Sequence, residues 1–237
     1  MLCRHWVLLF LLAPIYAYAV EDQTEPEVAN VSTTARQNAI LVFGGRMSTT
    51  DFATTMLYNT RFDPQNESPG YAPSYDNDIF GVEYEHELRQ FPHDLHLRAE
   101  TGIADRFGHY LVCCQSLPYP DQTVQTQNRI HTIEIWAGGK LRWDNIHVGS
   151  SFLLEFAGTV GLSAVSRAIG RERQRQIDDN GNAHLLYYLA PEMGISMSAH
   201  PNFELVLRVP HRSGGGRTLG NMEEGYNANV VGVRYSY

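Results

Sequence analysis

The sequence predicts an all-β protein: an eight-stranded antiparallel up-and-down transmembrane β-barrel with short periplasmic turns and longer extracellular loops. Three observations carry this expectation. Segments alternating apolar and polar residues fill most of the chain after residue 37, the period of a strand with two unlike faces. The polar faces recur as acids and arginines: Glu83, Glu85, Glu100, Glu134, Glu155 and Glu192 against Arg98, Arg142, Arg208 and Arg234. A small barrel in lipid needs an apolar exterior, and its lumen can then hold charges that satisfy one another. The connections between segments also alternate in length, as they do in a barrel whose tight turns all lie at one end. A soluble sandwich or barrel with solvated polar faces is the competing architecture.

Taken in order, residues 1–19 read as a signal peptide. Arg4 and His5 precede the apolar run Trp6 to Leu12, and Ala17-Tyr18-Ala19 supplies small residues for cleavage. The run falls short of the roughly 20 apolar residues of a membrane anchor. Residues 20–37 are polar and expected to be disordered. The barrel occupies 38–237, with strands expected near 38–47, 78–90, 94–106, 130–143, 146–162, 184–199, 203–212 and 226–237. "DIFGVEYEHEL" sets Phe80, Val82 and Tyr84 against Glu83, Glu85 and Glu87, and "TIEIWAGGKLRW" sets Ile133, Ile135, Leu141 and Trp143 against Glu134, Lys140 and Arg142. "QFPHD", "WDN" and "AHPN" read as the tight turns; 48–77, 107–129, 163–183 and 213–225 are the long loops. "DFATTMLYN" fits either a ninth strand or a short helix in the first long loop, and closure by an even number favours the helix. The final strand, "VVGVRYSY", puts Val231, Val233, Tyr235 and Tyr237 on one face and ends in an aromatic suited to the membrane interface.

Several function classes drop out. With 18 basic against 26 acidic residues the chain has no basic footprint for nucleic acid. Cys113 and Cys114 are adjacent, so a bond between them would be strained and would constrain little chain, and CxxC spacing is missing. The ten histidines show no HxxxH or HExxH spacing, so neither a metal nor a cofactor is expected. Eight strands leave too little lumen for a channel, and a charged interior argues against an internal acyl pocket. Arg167, Arg171, Arg173 and Arg175 crowd one extracellular loop and would suit phosphates, although a solvated loop with a short helix is the favoured account.

One strand ends unusually. In "LVLRVPHRSGGG" the apolar face of Leu205, Leu207 and Val209 continues into His211 and Ser213. Parity aims both outward, at the extracellular rim of the seventh strand, where a polar side chain on a lipid face is costly. A serine hydroxyl and an imidazole two residues apart on one strand face can serve as nucleophile and base. Gly214 and Gly215 follow and could offer backbone N–H groups to an oxyanion. An acid to orient the imidazole would come from Glu223, which counting by twos from Tyr237 puts outward; a bulge would substitute Glu224.

A His-x-Ser followed by small residues, a loop, an acid and the terminal strand of an eight-stranded barrel resembles the lipid A 3-O-deacylases of Gram-negative outer membranes. The resemblance covers "VPHRSGGGRTLGNMEEGYNANVVGVRYSY" and elsewhere extends only to architecture. It implies a serine-hydrolase triad on the membrane-facing wall, an ester-linked acyl chain of lipid A as substrate, and no cofactor. Expected partners are the bacterial outer membrane and its lipopolysaccharide; pairing into a homodimer stays open. The sequence departs from the family twice. Gly214 stands where an asparagine usually follows the serine, and Asn227 falls nearer than Glu223 to the position of the family's acid. A structural or adhesive barrel without catalysis is the alternative.

Overall fold

The structure is a computed structural model that describes residues 36–58, 75–108 and 130–237. The signal peptide, most of the polar segment after it, and Cys113 and Cys114 lie outside the described residues.

Nine β-segments run antiparallel in one sheet that closes on itself: β1 (Asn38–Ser48), β2 (Tyr75–Phe91), β3 (Leu95–Gly108), β4 (Ile130–Val148), β5 (Phe152–Val165), β6 (Leu185–Met197), β7 (His200–Arg208), β8 (His211–Ser213) and β9 (Glu224–Ser236). β7 and β8 are one stave. The register of each against β6 and β9 continues across Val209–Pro210, and the ladder lapses there because proline has no N–H to give. The result is an eight-stranded up-and-down barrel, closed where β1 pairs β9 from Ala39↔Ser236 to Ser48↔Asn227.

Alternation decides what each face meets. Ile40, Val42, Phe80, Val82, Ile103, Ile135, Leu141, Val160, Leu205 and Val233 lie exposed on the outer wall. Glu83, Glu85, Glu100, Glu134, Glu155, Glu192, Arg98, Arg142, Arg208 and Arg234 are buried, as is Lys140, while Glu87 near the short-turn end is half-buried. A wall of exposed aliphatics around a charged lumen is the inverse of a soluble barrel and fits an outer-membrane barrel with lipid as its solvent. Trp143, Phe203, Tyr235 and Tyr237 collect outside the short-turn end, with Phe203–Tyr235 and Tyr235–Tyr237 ring centroids 4.9 and 5.9 Å apart, as interfacial aromatics do.

The lumen is solid. Lys140 Nζ lies 2.9 Å from Glu83, 2.8 Å from Glu85, 3.0 Å from Glu100 and 3.1 Å from Glu192. Arg208 pairs with Glu83, Glu100 and Glu192 and donates to the Tyr188 hydroxyl at 3.2 Å. Arg234 ties Glu85, Glu155, Glu192 and Glu204 together. Toward the long-loop end, Glu172 enters the mouth from helix α2 (Gly170–Asp178) and pairs with Arg106, at 2.6 Å, and with Arg212.

One expectation needs correction in detail. "WDN" is not a turn: β4 runs on to Val148, and the reversal falls at residues 149–151. Asn145 takes φ 60 inside the strand and makes a bulge between Trp143 and Ile146, so a residue with turn chemistry marks a kink. The segment after β1 is a helix, α1 (Phe52–Tyr58), as even closure favours.

Candidate active site

β8, β9 and β1 meet at the long-loop end of the outer wall, with His211, Asn227 and Ser48 directly opposite one another across the three strands. Cross-strand partners share a face, so all three look outward. One step further along β8, Ser213 pairs with Glu224 and Tyr187. Two residues lie between Glu224 and Asn227 on β9, while one lies between His211 and Ser213 on β8. β9 therefore carries a bulge at Gly225–Tyr226, which turns Glu224 to the side that simple alternation reserves for Glu223.

α1 lies over this row. Asp51 caps it, its Oδ1 accepting from the Thr54 backbone N–H at 2.8 Å, and that hydrogen bond holds the Asp51 carboxyl below its ordinary value. Hydroxyls fasten the helix to the wall: Thr55 Oγ1 donates to Ser48 Oγ at 3.1 Å, and Ser48 and Thr50 exchange a 2.8 Å bond. Phe52 then packs on the imidazole of His211, with centroids 4.5 Å apart and the ring planes tilted by 37°, and Ser48, Thr55 and Asn227 are buried.

The hydrogen bonds fix the imidazole's tautomer. Asn227 Nδ2 donates to the Thr50 carbonyl at 2.8 Å, which leaves Oδ1 as the amide's acceptor. His211 Nδ1 lies 2.6 Å from that oxygen and must carry the hydrogen. Nε2 of the neutral ring is then a bare acceptor, the form required of a general base. Asn227, on the orienting side of His211, is the asparagine that the sequence analysis held as an alternative.

The carboxylates are engaged elsewhere. Glu224 Oε2 meets Arg175 Nη2 of α2 at 2.8 Å, and Arg175 Nη1 also donates to the Gly225 carbonyl at 2.9 Å. Glu223 is exposed, and its Oε1 lies 3.5 Å from Arg217 Nε. Sequence spacing alone missed Arg175 as the neighbour that takes Glu224.

Ser213 Oγ donates to the Glu223 carbonyl at 2.9 Å and accepts from Gly215 N–H at 3.0 Å. No hydrogen bond joins it to His211 among the described residues. The two side chains stand on one face at the i,i+2 repeat of about 6–7 Å. Gly215 has φ 61 and Gly216 φ 68, in the left-handed region that glycine tolerates. A Cβ on Gly214 would come within 1.9 Å of the Met222 carbonyl, so this position admits glycine alone. Of Arg167, Arg171, Arg173 and Arg175, the last three lie on or inside α2, and Arg167 is exposed.

No family model matches the chain, and no curated protein matches it. Among solved structures it is similar to the outer membrane enzyme PagL, with 9% identity and a TM-score of 0.46 over 83% of this chain and 98% of that one. It is likewise similar to Neisserial surface protein A, with 9% identity and a TM-score of 0.44 over 86% of this chain and 98% of that one. A third likeness is to the N-terminal β-barrel domain of Pseudomonas aeruginosa OprF, with 10% identity and a TM-score of 0.37 over 85% of this chain and 98% of that one. Likenesses of this degree concern the barrel and say nothing of its chemistry.

Proposed function

We propose that the protein is an outer-membrane serine esterase that removes an ester-linked acyl chain from lipid A, working on the outer leaflet from the wall of the barrel. The observation that carries this reading is the Thr50–Asn227–His211 relay, which leaves Nε2 free to accept a proton on the face that also bears Ser213. In the proposed step, Ser213 Oγ attacks the ester carbonyl carbon and gives its proton to His211 Nε2. The tetrahedral intermediate then collapses, the sugar oxygen leaves with that proton, and water releases the fatty acid from the acyl-serine. Asn227 holds the ring, as asparagine does in Cys-His-Asn sites. N–H groups of the Gly214–Gly215 turn are the nearest candidates to receive the oxyanion once Ser213 rotates and releases Gly215.

A second reading, a barrel with a structural or adhesive role and no reaction, is favoured by one observation: the Ser213 hydroxyl hydrogen is committed to the Glu223 carbonyl. Mass spectrometry of lipid A from cells expressing the protein separates the two. Deacylation predicts loss of one hydroxyacyl mass, abolished by Ser213→Ala with heat-modifiable gel migration intact. Unaltered lipid A under the wild-type protein would leave the structural barrel.

A further inference from the structure

At the opposite, short-turn end, Asp94, His96 and Asp144 converge, with one ligating atom from each within 4.8 Å of the others. A separate backbone feature places each residue. Asp94 closes the β2–β3 turn with φ 55, Asp144 sits in the β4 bulge beside Asn145, and His96 is the second residue of β3, facing the lumen and 8% exposed. The turn and the bulge are clamped together, since Asp144 N–H donates to the Asp94 carbonyl at 3.2 Å and Asn145 Nδ2 to Asp94 Oδ1 at 3.3 Å.

His96 is oriented from behind. Its Nδ1 lies 2.9 Å from Glu87 Oε2, and a carboxylate only accepts, so the hydrogen is on Nδ1. Nε2 faces Asp144 Oδ1 at 3.3 Å, and both atoms are buried without a hydrogen-bond partner. A neutral imidazole there would set two acceptors facing each other, which repel unless a proton or a metal cation stands between them. Arg142 holds the other oxygen of that carboxylate, its Nε 3.3 Å from Asp144 Oδ2. A carboxylate supporting the back of an imidazole whose other nitrogen meets an anionic ligand is the recurrent second layer of a metal site. The His96–Asp144 spacing agrees, since two ligands at about 2.0–2.1 Å from a tetrahedral zinc stand about 3.3 Å apart.

We propose that Asp94, His96 and Asp144 bind one divalent transition-metal ion of the zinc class at the periplasmic rim. An imidazole with two carboxylates suits such an ion better than magnesium or calcium, which favour oxygen-only shells. Asp144 also lines a cleft shared with Arg36, Asn145 and Glu204. The ion would tie the β2–β3 turn to the bulge of β4.

The test uses the untagged full chain in detergent micelles, stripped with chelator and titrated calorimetrically with zinc chloride. One equivalent should bind, and His96→Gln and Asp94→Asn should each weaken that binding by about tenfold or more. Asp94 is exposed at a turn, so Asp94→Asn should keep the heat-modifiable migration of the folded barrel even if His96→Gln does not. Absorption spectroscopy of the loaded protein should report one imidazole and oxygen ligands at about 2.0 Å. Absence of a wild-type equivalent, or zinc binding indifferent to either substitution, overturns the site; the gap between Nε2 and Asp144 would then hold a proton instead.

Discussion

His211 Nδ1 sits 2.6 Å from an uncharged amide oxygen, so the ring is oriented without a neighbouring anion on that side. Changing that partner has a signed consequence. Asn227→Asp would put a negative charge beside Nδ1, favouring the imidazolium and raising the histidine's pKa. Because only the neutral ring can act as base, the acid limb of kcat/KM should move to higher pH, while the rate above that limb should hold or rise as the imidazolium formed in the transition state is better stabilised. Asn227→Ala removes the orienting bond and should lower kcat by about 10²–10⁴. Initial rates of ester hydrolysis against pH check both; an acid limb that does not move would detach Asn227 from the imidazole. That His211 and Ser213 share the outward face was legible because strand parity survives the whole length of β7 and β8. Glu223 was misjudged for a local reason: the extra residue at Gly225–Tyr226 resets the alternation, and nothing in "EEGYN" announces a bulge on which a count from Tyr237 depends.

Among the elements, α1 is the most vulnerable. It has seven residues, too few to persist on helical propensity alone. Its cap at Asp51, the Thr55–Ser48 bond and the Phe52–His211 ring contact hold it to the wall. Asp51→Ala should weaken it by about 1 kcal/mol, the usual cost of losing a cap, and amide hydrogen exchange over 52–58 should accelerate while the barrel strands stay protected. Acid should act in the same direction. The folded-state pKa of Asp51 is depressed, so its contribution is present above the unfolded-state value and fades as pH falls through the folded one. Exchange of α1 that ignores both acid and the substitution would mean that packing alone holds it. The helix could be argued from even closure, but not its seat on His211, which depends on Ser48 and Asn227 becoming neighbours through β1–β9 closure. The Asp94–His96–Asp144 cluster was illegible for the same kind of reason. His96 faces Arg142 in the register, and the bulge at Asn145 brings Asp144 within reach, a convergence that linear spacing does not encode.

For the whole molecule, the inversion of polarity makes opposite demands at adjacent positions of one hairpin. Lys140 lies fully buried among four carboxylates, while Val160, paired with Gly139 beside it, is 67% exposed on the outer wall. In a water-soluble protein a lysine replaced by an apolar side chain and an exposed valine replaced by arginine would both be mild changes. Here neither is. Lys140→Met leaves Glu83, Glu85, Glu100 and Glu192 sharing Arg208 and Arg234, and removing one partner from a buried ionic network typically costs about 3–5 kcal/mol. Val160→Arg puts a charge against hydrocarbon and should cost about 2–4 kcal/mol near mid-bilayer. Val160→Leu, which only adds apolar surface to a lipid-facing site, should be close to neutral. Urea titrations of the barrel refolded in phospholipid vesicles, read by tryptophan fluorescence and by gel migration, measure all three. The charged lumen and the oily wall require one another, so the two costly substitutions must appear together. If Val160→Arg were as mild as Val160→Leu, the outer wall would be facing water, and the lipid leaflet in which His211 and Ser213 are proposed to work would not be there.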